Sequence, residues 1–186
     1  FFEDVIRTHP RGEYTTASRV GFAEGLAVLD RHAEAISAFE QVVDELPGVA
    51  RRRFIDAAAL ATTLFVTAEA RRVDRQVEAA LGYARLATRV VNKESVEPAS
   101  AMFRLFADLA VQAAEAVRGS DDATVSPEAK VLLEQAVEAF EAAKESFARE
   151  HSNVVASMLA AITQFDQMKE ELRTAATRDL LDFAVL

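Results

Sequence analysis

Cysteine and tryptophan are absent from this chain, and its 186 residues include only four prolines and six glycines. The absence of cysteine excludes disulfide bonds, thiolate zinc sites and cysteine nucleophiles. The scarcity of proline and glycine leaves few helix breakers and turn formers, which agrees with a helical chain. The longest uncharged apolar run, 57–68, is too short to cross a bilayer as a helix. We therefore interpret it as a buried helix and predict no transmembrane segment.

Sequence patterns of catalysis and metal binding are also missing. The histidines His9, His32 and His151 lie far apart, and none follows a glutamate by three residues, as the ligand pairs of di-iron bundles do. No His-Glu-x-x-His, Gly-x-Ser-x-Gly or Gly-x-x-x-x-Gly-Lys pattern occurs. Carboxylate pairs such as Asp44-Glu45 are consecutive and point in different directions on a helix. We predict a protein that is not an enzyme and that uses no metal or cofactor.

A helix-packing pattern dominates the first third of the chain. Ala35, Phe39 and Val42 fall at i, i+4 and i+7, so they line one face of a helix, and Pro47 follows them. The small residue lets a neighbouring helix approach, the aromatic ring fills the space beside it, and the proline is expected to end the helix at Leu46.

The same pattern of small, aromatic and small or aliphatic residues recurs later in the chain. The two later copies are Ala79-Tyr83-Leu86 and Ala136-Phe140-Ala143. Recurrence of one helix-hairpin unit is typical of a helical repeat array. The pattern therefore predicts that Phe39, Tyr83 and Phe140 are buried between adjacent helices.

Residues 14–47 resemble a tetratricopeptide repeat, a helix-turn-helix unit of about 34 residues. The second-helix positions of that motif correspond to Ala35, Phe39, Val42 and Pro47. The spacing also resembles the longer repeats of bacterial envelope proteins of this family. The resemblance implies an all-α fold, a right-handed stack of antiparallel helix pairs (an α-solenoid). It also favours the periplasm or cell envelope as the location, with the cytoplasm as the alternative.

The turn signals divide the chain into about eight or nine helices within one domain, 1–186. Three of these helices are expected beyond residue 126. The predicted subdivisions are 1–10 as the remnant of a preceding repeat, 14–47 as the best repeat, 48–94 and 95–150 as degenerate repeats, and 151–186 as C-terminal capping helices. In such an array the first helix of each pair lines a concave surface.

In the best repeat, the concave surface implied by the resemblance presents Val20, Glu24, Ala27 and Val28. These side chains are small and apolar, with one acid among them. Such a surface would bind an apolar helix or an extended peptide by burial rather than by salt bridges.

Basic charge is concentrated in the centre of an acidic chain. The net charge is −9, but residues 48–93 contain nine basic and four acidic side chains. Arg85, Arg89 and Lys93 form one helical stripe, and Arg71 and Arg75 form a second pair. These arginines either meet acidic side chains of neighbouring helices or bind an acidic partner. Nucleic acid is disfavoured because phosphate binding usually needs a strongly basic domain.

We therefore predict a non-enzymatic scaffold or adaptor that binds a protein or peptide partner on a helical-repeat surface. Three alternatives remain open: a structural subunit that assembles with copies of itself, a protein that binds nucleic acid or an acidic partner through the arginines, and a helical bundle that binds a small ligand.

Overall fold

The computed structural model describes residues 2–9, 14–49, 55–97, 99–117 and 126–184. Within these ranges the fold is entirely helical, with seven helices and no strand. The helices are α1 (Phe2–Thr8), α2 (Thr15–Val28), α3 (His32–Val49), α4 (Ala57–Val73), α5 (Val77–Glu94), α6 (Ser100–Val117) and α7 (Pro127–Ala184). The predicted all-α class is confirmed for the described part of the chain.

The predicted count of eight or nine helices is wrong, because three helices expected beyond residue 126 form one helix, α7. Residues 128–184 contain neither glycine nor proline, so no backbone signal interrupts the helix. Ser152 is of a type that often caps helices, but its hydroxyl donates to the carbonyl of Arg149 at 2.8 Å. A serine bonded in this way to its own helix does not terminate it.

Helix α3 continues through Pro47 to Val49, beyond the expected end at Leu46. A proline has no backbone N–H, so the carbonyl of Val43, four residues earlier, loses its helical donor. The ammonium group of Lys93 on α5 donates to that carbonyl at 2.8 Å. This contact supplies the missing donor and explains how the helix accommodates the proline.

Two helix hairpins, α2–α3 and α4–α5, end their first helices in the same way. Asp30 (φ 57°) and Arg75 (φ 62°) take the left-handed conformation after the helix. The next residue donates its N–H to a carbonyl five residues earlier, at 3.0 Å in the first turn and 2.9 Å in the second. The two turns are thus 45 residues apart, one more than the 44-residue spacing of Ala35 and Ala79. The structural counterpart of Ala35 is therefore Ala80.

Helix α5 lies at the centre of the packing, in contact with α3, α4 and α6, while α1 packs on α2. Phe39 and Tyr83 are 1% and 0% exposed, and their rings meet edge to face with centroids 6.3 Å apart. Their predicted burial is confirmed. The predicted burial of Phe140 is wrong, because this side chain is 42% exposed. The alanines Ala136 and Ala139 belong to the core instead.

The chain divides into two compact units, 1–146 and 147–186, and the division falls within α7. The first unit contains α1 to α6, the beginning of α7 and the hydrophobic core. The second unit is formed by the remainder of α7 and the residues that follow it.

Candidate partner-binding groove

A groove of about 820 Å³ lies between α1, α2 and α3, open to solvent. Its apolar lining comes from all three helices: Ile6, Phe22, Leu26, Ala33 and Ala38. Helix α1 forms one wall, and its position depends on a contact with a glycine. A β-carbon added to Gly21 on α2 would lie 2.7 Å from the ring of Phe2, so the absence of a side chain at Gly21 permits this approach.

The charged residues at the rim of the groove are already paired within the fold. The pairs are Asp4 with Arg7 (2.9 Å), Glu45 with Arg19 (2.5 Å) and Glu34 with Arg31 (2.6 Å). The hydrogen bond from Arg31 lowers the pKa of Glu34 below its usual value. An occupant of the groove therefore meets charges that are already neutralised, and its binding energy has to come mainly from apolar burial.

Two polar side chains of α3 remain available in the groove. Ser37 and Gln41 lie one helical turn apart, line the groove, and have no hydrogen-bond partner among the described residues. A hydroxyl and an amide offer donors and acceptors to a peptide backbone. These two residues can orient an occupant without contributing charge.

The structure separates the four residues of α2 predicted to bind a partner. Val20 and Ala27 are partly buried against the core, whereas Glu24 and Val28 are exposed. None of the four lines the groove, which takes other residues of the same helix. A role for Val20, Glu24, Ala27 and Val28 in partner binding stays a prediction.

Arg71 is held in a polar cluster that connects the two hairpin turns. Its guanidinium donates to Asp30 at 3.1 Å and pairs with Asp74 at 3.2 Å. It also lies 3.3 Å from Nε2 of His32, while Nδ1 of His32 lies 3.2 Å from the hydroxyl of Tyr83. In the tautomer whose Nε2 accepts from Arg71, which is always a donor, Nδ1–H of His32 donates to the hydroxyl oxygen of Tyr83.

Tyr83 gives this cluster a buried, neutral hydroxyl group. Burial raises the pKa of its hydroxyl to about 12, and the nearby charge of Arg71 opposes the shift. The phenol therefore stays neutral at ordinary pH and serves as a hydrogen-bond partner of His32. The cluster lines neither described cavity, so its contacts connect helices rather than face a ligand.

The other predicted arginines differ in their surroundings. Arg89 pairs with Glu40 at 2.9 Å and with Asp44 at 2.5 Å, so these charges are matched between α5 and α3. Arg85 donates to the amide oxygen of Gln135 at 3.3 Å. Arg75 is exposed and has no partner among the described residues. A partner-binding role for these arginines stays a prediction; of the three, only Arg89 is paired with carboxylates among the described residues.

A second cavity, of about 190 Å³, lies between α5, α6 and the beginning of α7. Phe103, Phe106 and Ala139 line it together with polar side chains of α5 and α7. Its volume is below the roughly 300–1,000 Å³ typical of small-molecule sites. This cavity therefore gives no support to a small-ligand-binding function.

Within the described ranges, no group of three or more histidine, aspartate or glutamate side chains is placed to hold a metal ion. No helix in the same part of the chain combines the length and apolar character needed to span a membrane. The chain matches no protein-family model, no curated protein and no solved structure. Its function is therefore argued from its own residues.

The groove was not predicted from the sequence, although a sequence signal for it exists. Phe22 and Leu26 are spaced i and i+4 on α2, and Ala33 and Ala38 lie on the following helix. This pattern predicts apolar faces but does not show that α1 leaves part of them uncovered. The location of α1 is the structural information that was missing.

Proposed function

We propose that this protein is a non-enzymatic scaffold that binds a partner peptide or helix in the groove between α1, α2 and α3. The observation that carries the proposal is an open groove with an apolar floor whose rim charges are paired internally. We further propose that the two hairpins are successive units of a tetratricopeptide-like solenoid. Their identical turns, 45 residues apart, support this arrangement.

The expected occupant is a segment of another protein with one apolar face. Each apolar side chain that it buries contributes about 1.5–3 kcal/mol, so two or three anchors would provide a useful affinity after the entropy loss of binding. Ser37 and Gln41 would bond to the backbone or polar side of the segment. An amphipathic helix and an extended strand with alternating apolar residues both satisfy these requirements.

Binding of nucleic acid or an acidic partner through the central arginines receives less support. Arg71 and Arg89 pair with carboxylates of neighbouring helices, so a new anion would have to displace those partners. Arg75 and Arg85 are exposed and pair with no carboxylate among the described residues, but two arginines give little electrostatic attraction at physiological salt.

The proposal can be tested by selecting peptides from a displayed library on the intact protein. The selected peptides should share apolar residues at helical or alternating spacing, and they should lose binding to Ala38→Glu, which puts a charge in the groove. The matched control is Val28→Glu, which puts the same charge on an exposed site of α2 outside the groove. Circular dichroism should show that both variants remain helical.

Three results would count against the groove. Peptides that still bind Ala38→Glu but not Val28→Glu would favour the α2 surface predicted from the sequence. Affinity that falls steeply with salt, together with loss of binding in Arg75→Glu, would favour the electrostatic alternative. Selection of no apolar peptides would contradict the scaffold proposal itself.

A further inference from the structure

The second unit exposes an apolar stripe along α7. Six apolar residues and one histidine follow one another at alternating intervals of four and three residues: Phe147, His151, Val154, Met158, Ala161, Phe165 and Met168. All seven are exposed, with Met158 at 62% and Phe165 at 69%. Leu159 and Ile162 widen the stripe and are exposed as well. Burial of these side chains would be favourable, because large apolar groups in water are costly.

The alternation of four and three residues is the heptad period of a coiled-coil seam, which keeps one face of a helix turned toward a partner helix. We propose that this stripe pairs with the same stripe of a second copy of the chain, in antiparallel orientation. The pairing is independent of the groove and would make the protein a homodimer.

The order of large and small residues favours an antiparallel pair. With the two-fold axis midway between Ala161 and Phe165, each Ala161 faces a Phe165 of the other copy, so a small residue receives a large one. The next layer places Met158 opposite Met168, and methionine adapts well to such contacts. A parallel pair would instead place Phe165 against Phe165 and leave a gap between the two alanines.

The exposed area reaches the lower limit for a contact between two copies. From the exposed fractions of Phe165 and of the five aliphatic or methionine side chains near the axis, we estimate an apolar area of about 500 Å² per copy. A pair would then bury about 1,000 Å², the lower limit for a specific protein interface. The stripe is therefore large enough to be a dimer contact on its own.

Charge also favours a second copy over a membrane surface. Residues 147–170 contain two basic and three acidic side chains, so two such segments can approach with little repulsion. Helices that lie on anionic membranes usually carry many lysines and arginines on the polar face, which this segment lacks. Glu150 and Lys169 are the charged residues that flank the stripe.

The first test compares Phe165→Glu with Thr163→Glu in the intact protein by sedimentation equilibrium. Thr163 lies on the opposite side of α7 from the stripe, so its variant adds the same charge outside the proposed contact. Phe165→Glu places one charge from each copy in the contact and should raise the dimer dissociation constant at least about 100-fold. Thr163→Glu should change it less than about threefold. Circular dichroism of both variants should show unchanged helical content.

The second test determines orientation and uses the absence of cysteine from the chain. Gln164→Cys places a single thiol next to the proposed two-fold axis, so a short bis-maleimide should join two copies. His151→Cys places the thiol far from its counterpart in an antiparallel pair but adjacent to it in a parallel pair. Cross-linking at residue 164 and not at 151 is the expected result.

The proposal fails if the unaltered protein is monomeric at high concentration, since the first unit or another protein would then be the partner of the stripe. Cross-linking at 151 rather than 164 overturns the antiparallel pairing. Equal dissociation constants for Phe165→Glu and the unaltered protein place the contact elsewhere. Co-sedimentation with phosphatidylserine vesicles that is lost in Phe165→Glu, without a dimer in solution, assigns the stripe to a membrane surface.

Discussion

The contact between Lys93 and the carbonyl of Val43 predicts a measurable coupling with Pro47. The ammonium group of Lys93 lies 2.8 Å from this oxygen, and Pro47 cannot provide the N–H that the oxygen would otherwise accept. Replacement of Lys93 by methionine keeps the length of the side chain and removes the donor. The carbonyl of Val43 would then lose this charged partner.

The expected loss in the free energy of unfolding is about 1–2 kcal/mol. A hydrogen bond to a charged donor contributes about 1.5–3 kcal/mol, and we use the lower part of that range because water can partly replace a half-exposed donor. In a Pro47→Ala background the backbone N–H of residue 47 is restored, so Lys93→Met should cost less than about 0.5 kcal/mol there. Urea unfolding followed by far-UV circular dichroism gives the four free energies of this cycle.

The control for charge removal is Lys130→Met. Lys130 lies 3.9 Å from Glu134 on the exposed surface of α7, so its loss should change the free energy of unfolding by less than about 0.5 kcal/mol. An equal cost of Lys93→Met in the proline and alanine backgrounds would refute the reasoning. It would mean that Lys93 acts through the carboxylate of Asp44, 3.8 Å away, rather than through the carbonyl.

Three further predictions test the packing and the buried polar groups. In urea titrations, Phe39→Ala should lower the free energy of unfolding by about 3–5 kcal/mol and Phe140→Ala by less than about 1.5 kcal/mol, because Phe39 is fully buried and Phe140 is not. Equal losses would contradict the assignment of Phe39 to the core and of Phe140 to the surface. The hydroxyl of Tyr83 should ionise near pH 12 in an ultraviolet titration. Since its pKa is raised in the folded state, about 2–3 kcal/mol of stability should be lost as pH rises from about 10 through about 12, and a Tyr83→Phe variant should not show this loss. Gly25→Ala should stabilise the protein by about 0.5–1 kcal/mol. Gly21→Ala should stabilise it less, because the added methyl group meets the ring of Phe2 on α1. Equal shifts of the melting temperature in the two variants would show that α1 does not pack on α2 at Gly21.

The features that the sequence predicted correctly are those that follow from local periodicity. Apolar residues at helical spacing identified α2 to α6, and the small-aromatic pattern correctly predicted the burial of Phe39 and Tyr83. The second copy of the pattern was placed at Ala79, one residue before the structural counterpart Ala80, because two consecutive alanines are indistinguishable in the pattern. The hydrogen bonds of the turns, which a sequence does not contain, determine the register.

Errors arose where the same sequence pattern is compatible with two structures. Ala136 and Phe140 were both assigned to the core, but α7 directs small residues toward α5 and α6 and leaves the phenylalanine exposed. The same helix was divided at Ser152 because serine is common at helix ends. A long helix with a heptad stripe has the same composition and needs no break at this serine. The regular spacing from Phe147 to Met168 was the sequence signal that indicated an uninterrupted helix.

The basic centre of the chain shows why a charge count alone does not predict a binding surface. The excess of arginine in 48–93 suggested attraction to an acidic partner. In the fold, Arg89 of α5 lies against Glu40 and Asp44 of α3, and Arg71 of α4 lies against Asp30 of the α2–α3 turn. Part of the acidic excess of 1–47 and part of the basic excess of the following segment therefore neutralise each other in contacts between helices. If so, exchanging Arg89 and Glu40 for each other should restore part of the stability that either single change removes, less than all because the carboxylate placed at position 89 then faces Asp44. An arginine that serves an external partner would show no such recovery.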